Sequence, residues 1–115
     1  MFKIDGNSII SNNSVIYEAP GEIIYGHEHD EGFIFIYDGD GKIEELGWAK
    51  GMKLQEDNIL KVDTHGNVIW RIRGGKASGF RALYLEDGNY WASGYNEREY
   101  RFDPETGELL GWTYP

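Results

Sequence analysis

Apolar and polar residues alternate in short runs along most of the chain, and the runs are broken by Gly, Asn and Asp. Phe2 to Ile4, Ser8 to Ile10, Val15 to Tyr17 and Glu22 to Tyr25 each read as a short strand, with turn residues between them. Phe33 to Tyr37, FIFIY, is apolar at every position, which predicts a central strand buried on both faces. Lys42 to Trp48, Ile59 to Val62, Val68 to Ile72, Phe80 to Leu85, Tyr90 to Ser93, Tyr100 to Phe102 and Leu109 to Trp112 continue the series. In Phe80 to Leu85, strict alternation puts Ala82 and Tyr84 on one face and Arg81, Leu83 and Leu85 on the other. Gly26 to Gly32, GHEHDEG, reads as a polar loop. Ala49 to Asn58 has no clear pattern, and Arg73 to Gly79 is a glycine-rich loop. No window carries apolar residues at helical spacing without glycine. The expectation is one all-β domain over residues 1–115, with about nine or ten short antiparallel strands joined by hairpins.

One phrase recurs. YRFDPETGELLGW (Tyr100 to Trp112) is a strand, an Asp-led turn closed by Gly107, and a returning strand. Weaker forms are ILKVDTHGNVIWRI (Ile59 to Ile72), FIFIYDGDGKIEELGW (Phe33 to Trp48) and FKIDGNSII (Phe2 to Ile10). Asp bonds its own downstream backbone, and Gly takes the left-handed conformation that closes the turn. Three of the four phrases end near a tryptophan, Trp48, Trp70 or Trp112, which predicts that these rings pack in the core.

This phrase resembles the repeats of quinoprotein-type β-propellers, best in VDTHGNVIW (Val62 to Trp70) and FDPETGELLGW (Phe102 to Trp112). The resemblance implies blade-like hairpins and carries no chemistry. A blade takes roughly 40–50 residues and a closed propeller at least about four blades, so this chain cannot close one alone. The Asp positions 5, 38, 63 and 103 are also unevenly spaced. What remains is a strongly twisted open sheet, a half-barrel, a small sandwich, or a subunit that completes a ring by self-assembly.

Composition narrows the function. The chain has 115 residues, 16 glycines and no cysteine, so disulfides and thiolate chemistry are absent. It should bury roughly 65% of its unfolded surface, enough for a modest core. No leader-like or membrane-length apolar run is seen, and a cytoplasmic location is expected. The net charge is −9, of which residues 1–60 carry −8 and residues 61–115 carry −1. Phosphates repel such a surface, which argues against nucleic acid or an anionic membrane and for a basic protein partner. Small, acidic, cysteine-free β proteins are similar in type to the immunity proteins of bacterial polymorphic and contact-dependent toxin systems. That resemblance implies a cognate toxin domain as partner and carries no site residues.

Candidate chemistry is sparse. His27 and His29 alternate on an extended segment and could share a zinc ion, but a third protein ligand is not in sight, and a solvated acidic loop is the simpler reading. The pairs Glu44-Glu45, Glu56-Asp57 and Glu86-Asp87 are adjacent, so each splits across a strand and makes no carboxylate dyad. Gly74 to Ser78 lacks phosphate-loop spacing, and no serine sits in a nucleophile elbow. No catalytic residue, metal or cofactor is expected. Trp91 lies outside the repeated phrase, beside Tyr90 and Tyr95, and is the expected exposed aromatic anchor. The sequence therefore predicts a non-catalytic binding protein that covers the active site of a basic toxin such as a ribonuclease. Its contacts would be Glu28, Asp30, Glu31, Glu44, Glu45, Glu56, Asp57, Trp91 and Tyr95. The alternatives are a carbohydrate- or small-ligand-binding β module and the self-assembling subunit.

Overall fold

The computed structural model describes residues 1–38, 58–72, 79–94 and 97–114. They form eleven strands and no helix: β1 (Phe2–Asp5), β2 (Ser8–Ser11), β3 (Ser14–Glu18), β4 (Ile23–His29), β5 (Gly32–Tyr37), β6 (Ile59–Val62), β7 (Val68–Arg71), β8 (Phe80–Glu86), β9 (Asn89–Gly94), β10 (Glu99–Phe102) and β11 (Leu109–Thr113). The all-β antiparallel expectation holds. The strands make three separate sheets rather than one, ordered β1-β2-β3, β4-β5-β6-β7 and β11-β10-β9-β8, and none closes into a barrel. No helix among the described residues is long and apolar enough to cross a membrane.

The sheets stack face to face, with the β4–β7 sheet in the middle. Its β5 sends Phe33, Phe35 and Tyr37 to one side, where they meet Ile9, Ala19, Phe2, Ile16 and Tyr17 of the first sheet. It sends Ile34 and Ile36 to the other side, against Phe80, Leu83, Tyr90, Ala92, Tyr100 and Phe102 of the last sheet. Every residue of β5 and β6 is buried, as the unbroken FIFIY run predicts. The chain measures 38 × 37 × 18 Å. Strands of four to seven residues span about 13–23 Å at ~3.3 Å per residue. The turns gather at the two ends of the strands.

Two local expectations change. The segment 26–32 is not a loop: β4 continues to His29, and only Asp30 and Glu31, both at positive φ (45° and 62°), make the turn into β5. Polar side chains on the strand concealed its alternation. Arg81 does not share a face with Leu83, because the β8–β9 register shifts between Phe80 and Ala82 and turns the exposed Arg81 out of step.

The outermost hairpin of each sheet repeats one geometry. Ile10 pairs Val15 and Ile9 pairs Tyr17, with Ile16 left over as a bulge. Val62 pairs Val68 and Lys61 pairs Trp70, with Ile69 left over. Phe102 pairs Leu109 and Arg101 pairs Gly111, with Leu110 left over. Tyr17, Trp70 and Gly111 are thus equivalent positions. The Asp turns form as expected. Asp63 Oδ1 accepts from the backbone N–H of His65 at 2.8 Å and of Asn67 at 3.0 Å, and Asp103 Oδ1 accepts from Glu105 N–H at 2.8 Å. These bonds, Asn67 first, hold the Asp63 carboxyl below its ordinary range.

Turn and tryptophan interlock between sheets rather than within one. Gly107 sits at φ 75° with the Trp70 ring packed where a Cβ would project. Trp70 Nε1–H donates to the Pro104 carbonyl at 2.9 Å. Trp112 departs from the expected core position: it is 48% exposed, with the Arg98 guanidinium 3.9 Å above its ring and Tyr114 beside it. Trp48 lies outside the described residues.

On the outer face of the last sheet, Tyr84 and Ser93 both donate to Glu99 Oε1 at 2.7 Å. Burial first, then this bond, pushes the Tyr84 phenol up to about 12. Its native value lies above the ordinary tyrosine value. The stability it adds is therefore present below about pH 10 and lost as pH rises through about 12. A phenolate absorbance titration should show one late tyrosine, and Glu99→Gln should bring it back toward the others.

Candidate functional site

One face of the molecule collects the tight turns of all three sheets. Asn12-Asn13, Asp30-Glu31, residues 63–67, Asp87-Gly88 and residues 103–108 lie there, because antiparallel meanders return every second turn to the same end. The turns are rich in carboxylates, so Asp30, Glu31, Glu86, Asp87, Glu105 and Glu108 project into solvent from this face. Asp63 and Asp103 belong to it as well, but their carboxylates are taken by their own turns.

A polar cluster lies under this rim, where the middle and last sheets meet. Lys61 is 3% exposed, and its Nζ reaches His29 Nδ1 at 3.0 Å and the Pro104 carbonyl at 3.4 Å. His29 Nε2 stands 4.0 Å from Asp30 Oδ2 and 3.8 Å from Glu105 Oε1. The Tyr90 ring meets both His27 and His29 edge-on with centroids 5.6 Å apart, and its hydroxyl lies 3.0 Å from His27 Nδ1. Burial, then Tyr25 and Asp30, pushes the Tyr90 phenol upward and keeps it protonated.

His29, Asp30 and Glu105 have the residue types of a metal site and converge within ligand range of one another. The second nitrogen of the ring decides against it. A lysine ammonium offers only donors, so His29 Nδ1 accepts and the neutral ring carries its proton on Nε2. That N–H points at the two carboxylates, whereas a metal would need the lone pair there. The same burial closes Lys61 off from any substrate. Two surface hollows among the described residues, of about 190 and 350 Å³, lie elsewhere, on the first sheet, lined by Met1, Lys3, Ile10, Asn12 and Asn13, and by residues 15–18.

The expected contact residues divide four ways. Asp30 and Glu31 lie on the turn face. Glu28 is exposed on β4, with one oxygen 3.3 Å from the Phe2 N–H. Trp91 is half-buried on the outer face of the last sheet, stacked on Tyr84 at 6.3 Å and 7°. Glu44, Glu45, Glu56, Asp57 and Tyr95 lie outside the described residues. Sequence reasoning missed Glu105, Glu108 and Lys61. The first two come from the less acidic half, and Lys61 reads as an ordinary surface lysine.

Residues 34–114 match the family described as "Domain of unknown function (DUF7957)". The chain belongs to the DUF7957 family. The matched segment runs from β5 to β11 and holds Lys61, Trp70, Tyr90, Pro104 and Glu105, while His27 and His29 precede it. No curated protein matches the sequence. Among solved structures, the chain is similar in fold to the crystal structure of the computationally designed Ika8 protein, at 12% identity and TM-score 0.55 over 97% of this chain and 35% of that one. The computationally designed Ika4 protein is similar at 12% identity and TM-score 0.54, over 96% of this chain and 68% of that one. The chain thus spans about a third of the Ika8 chain, and the likeness is one of fold alone.

Proposed function

We propose that this DUF7957 chain is a non-catalytic binding module that takes a basic protein partner on its acidic turn face. A toxin domain such as a ribonuclease is the partner that its resemblance in type to immunity proteins implies. The observation behind this reading is the convergence of carboxylates from both halves of the chain on one face. Sequence places the charge excess in residues 1–60, yet the fold brings Asp30 and Glu105 together around His29, with Glu31, Glu86, Asp87 and Glu108 exposed on turns at the same end of the strands. Carboxylates so placed stand where substrate phosphates would lie on a basic active site, and they steer association. Among the described residues, the buried Lys61 beneath them reaches His29 and the Pro104 carbonyl rather than a carboxylate, which leaves the rim's charge available.

The test is association kinetics against a panel of basic microbial ribonuclease domains at low and high salt. Binding should weaken steeply with added salt. Neutralising the rim with Asp30→Asn, Glu31→Gln and Glu105→Gln together should slow association about tenfold at low salt, with a smaller effect on dissociation. Salt-independent binding, or full affinity in the neutralised variant, would remove the acidic face from the mechanism.

A further inference from the structure

The repeated register shows what the two outermost faces of the stack are. The middle sheet presents the cross-strand row His27–Ile34–Lys61–Trp70 to the last sheet. On the last sheet the equivalent row is Tyr84–Trp91–Arg101–Gly111, and it faces outward. The next row, Ile36–Ile59, corresponds to Ser93–Glu99. Toward the first sheet, the middle sheet presents Phe33–Val62–Val68, whose outward-facing equivalent on the first sheet is Lys3–Ile10–Val15. The stack therefore ends in two halves of the interface it makes twice internally. One half lies on the first sheet and the other on the last.

We propose that these halves meet between copies, the outer face of the last sheet seating the outer face of the first sheet of a second copy, head to tail. Continuity of register is the first argument. Lys61, which reaches the Pro104 carbonyl of the incoming sheet's turn, has Arg101 at its equivalent position. Trp70, which covers Gly107 of that turn, has Gly111, which leaves open space for an incoming turn such as Asn12-Asn13. Complementarity is the second argument. Val15 is 54% exposed beside Ile10 on the Gly111 side, and Lys3 stands at the place of Tyr90, which meets His27, the equivalent of Tyr84 in the stacked Tyr84–Trp91 pair. Lys3 among Asp5 and Glu18 meets Glu86 and Glu99 around Arg101. Where the internal interfaces use Phe33, Ile36 and Ile59, the end faces use Lys3, Ser93 and Glu99, so the contact is polar, reversible and salt-sensitive. It is heterologous, so each added copy again exposes both halves.

Sedimentation velocity on the full chain reads this directly. The weight-average sedimentation coefficient should rise with concentration up to ~1 mM in low salt and fall toward the monomer value in high salt. Arg101→Glu and Ile10→Asp, each checked for folding by circular dichroism, should each weaken association at least tenfold. A monomer throughout, or association unchanged in both variants, overturns the proposal. Orientation is read with a short bismaleimide, since the chain has no cysteine of its own. Copies bearing Lys3→Cys mixed with copies bearing Tyr84→Cys should cross-link 3 to 84, the equivalents of Tyr90 and His27, which touch inside the stack. Predominant 3-to-3 or 84-to-84 products would mean a two-fold contact and overturn the head-to-tail arrangement.

Discussion

Trp70→Ala should lower the unfolding free energy by about 4 kcal/mol, a large share of what a domain of this size possesses. Three losses coincide at this side chain. The ring leaves its edge-on contact with Phe102, centroids 5.7 Å apart. It uncovers Gly107, whose missing Cβ is what lets the indole lie against the 103–107 turn. The Pro104 carbonyl loses its 2.9 Å bond and keeps only the longer one from Lys61. Trp70→Phe separates these effects. It keeps most of the ring and removes the N–H, so it should cost about 1–2 kcal/mol. Urea unfolding followed by far-ultraviolet circular dichroism measures both without relying on tryptophan emission. A Trp70→Ala loss under about 1 kcal/mol would mean that the turn docks without the indole.

Asn58→Ala should cost about 3 kcal/mol, by a different route. Asn58 is 2% exposed at the start of β6, where the middle sheet faces β8. Its Nδ2 donates to the Phe80 carbonyl at 2.7 Å and the Tyr37 carbonyl at 3.0 Å, and its Oδ1 accepts from Phe80 N–H at 3.1 Å. The amide thus satisfies both backbone groups of Phe80 as a neighbouring strand would. Alanine leaves them buried and unpaired. Asn58→Asp is the more telling variant. It turns an oxygen toward two carbonyls and raises its own pKa in the folded state. Stability gained from protonation then appears as pH falls below that raised value, so this variant should recover stability between about pH 7 and pH 4, where Asn58→Ala stays flat. Equal pH profiles for the two variants would show that the amide is not oriented as described.

The strands were legible wherever apolar residues formed an unbroken run or alternated with turn residues at the ends, as in FIFIY and the Asp-Gly hairpins. The division into three sheets was not. Nothing local separates Glu18 from Ile23 or Arg71 from Phe80 as places where a sheet stops. What decides it is the face each strand must cover. Trp112 shows how fine the missing signal was. Trp70 follows Gly66 by four residues and Trp112 follows Gly107 by five. In equivalent bulged strands that one-residue slip carries the ring to the opposite face. The acidic site was half legible: Asp30 and Glu31 stood out by charge, but Glu105 joins them only through the fold. Lys61 gave no sign at all, because a lysine becomes buried only where acceptors from distant strands converge, here His29 and Pro104.

The middle sheet has one more consequence, for the order in which the chain assembles. Among the described residues, every hydrogen-bonded strand pair is consecutive in sequence, and most close over a few residues, which favours rapid local hairpins. The exception is β5 with β6, separated by residues 38–58. That pairing requires the largest loss of chain entropy, and it builds the one sheet on which both others rest. The first and last sheets gain their core only after it exists. Closing β5 onto β6 is therefore the natural rate-limiting event, and the two outer meanders add to it independently, one on each side.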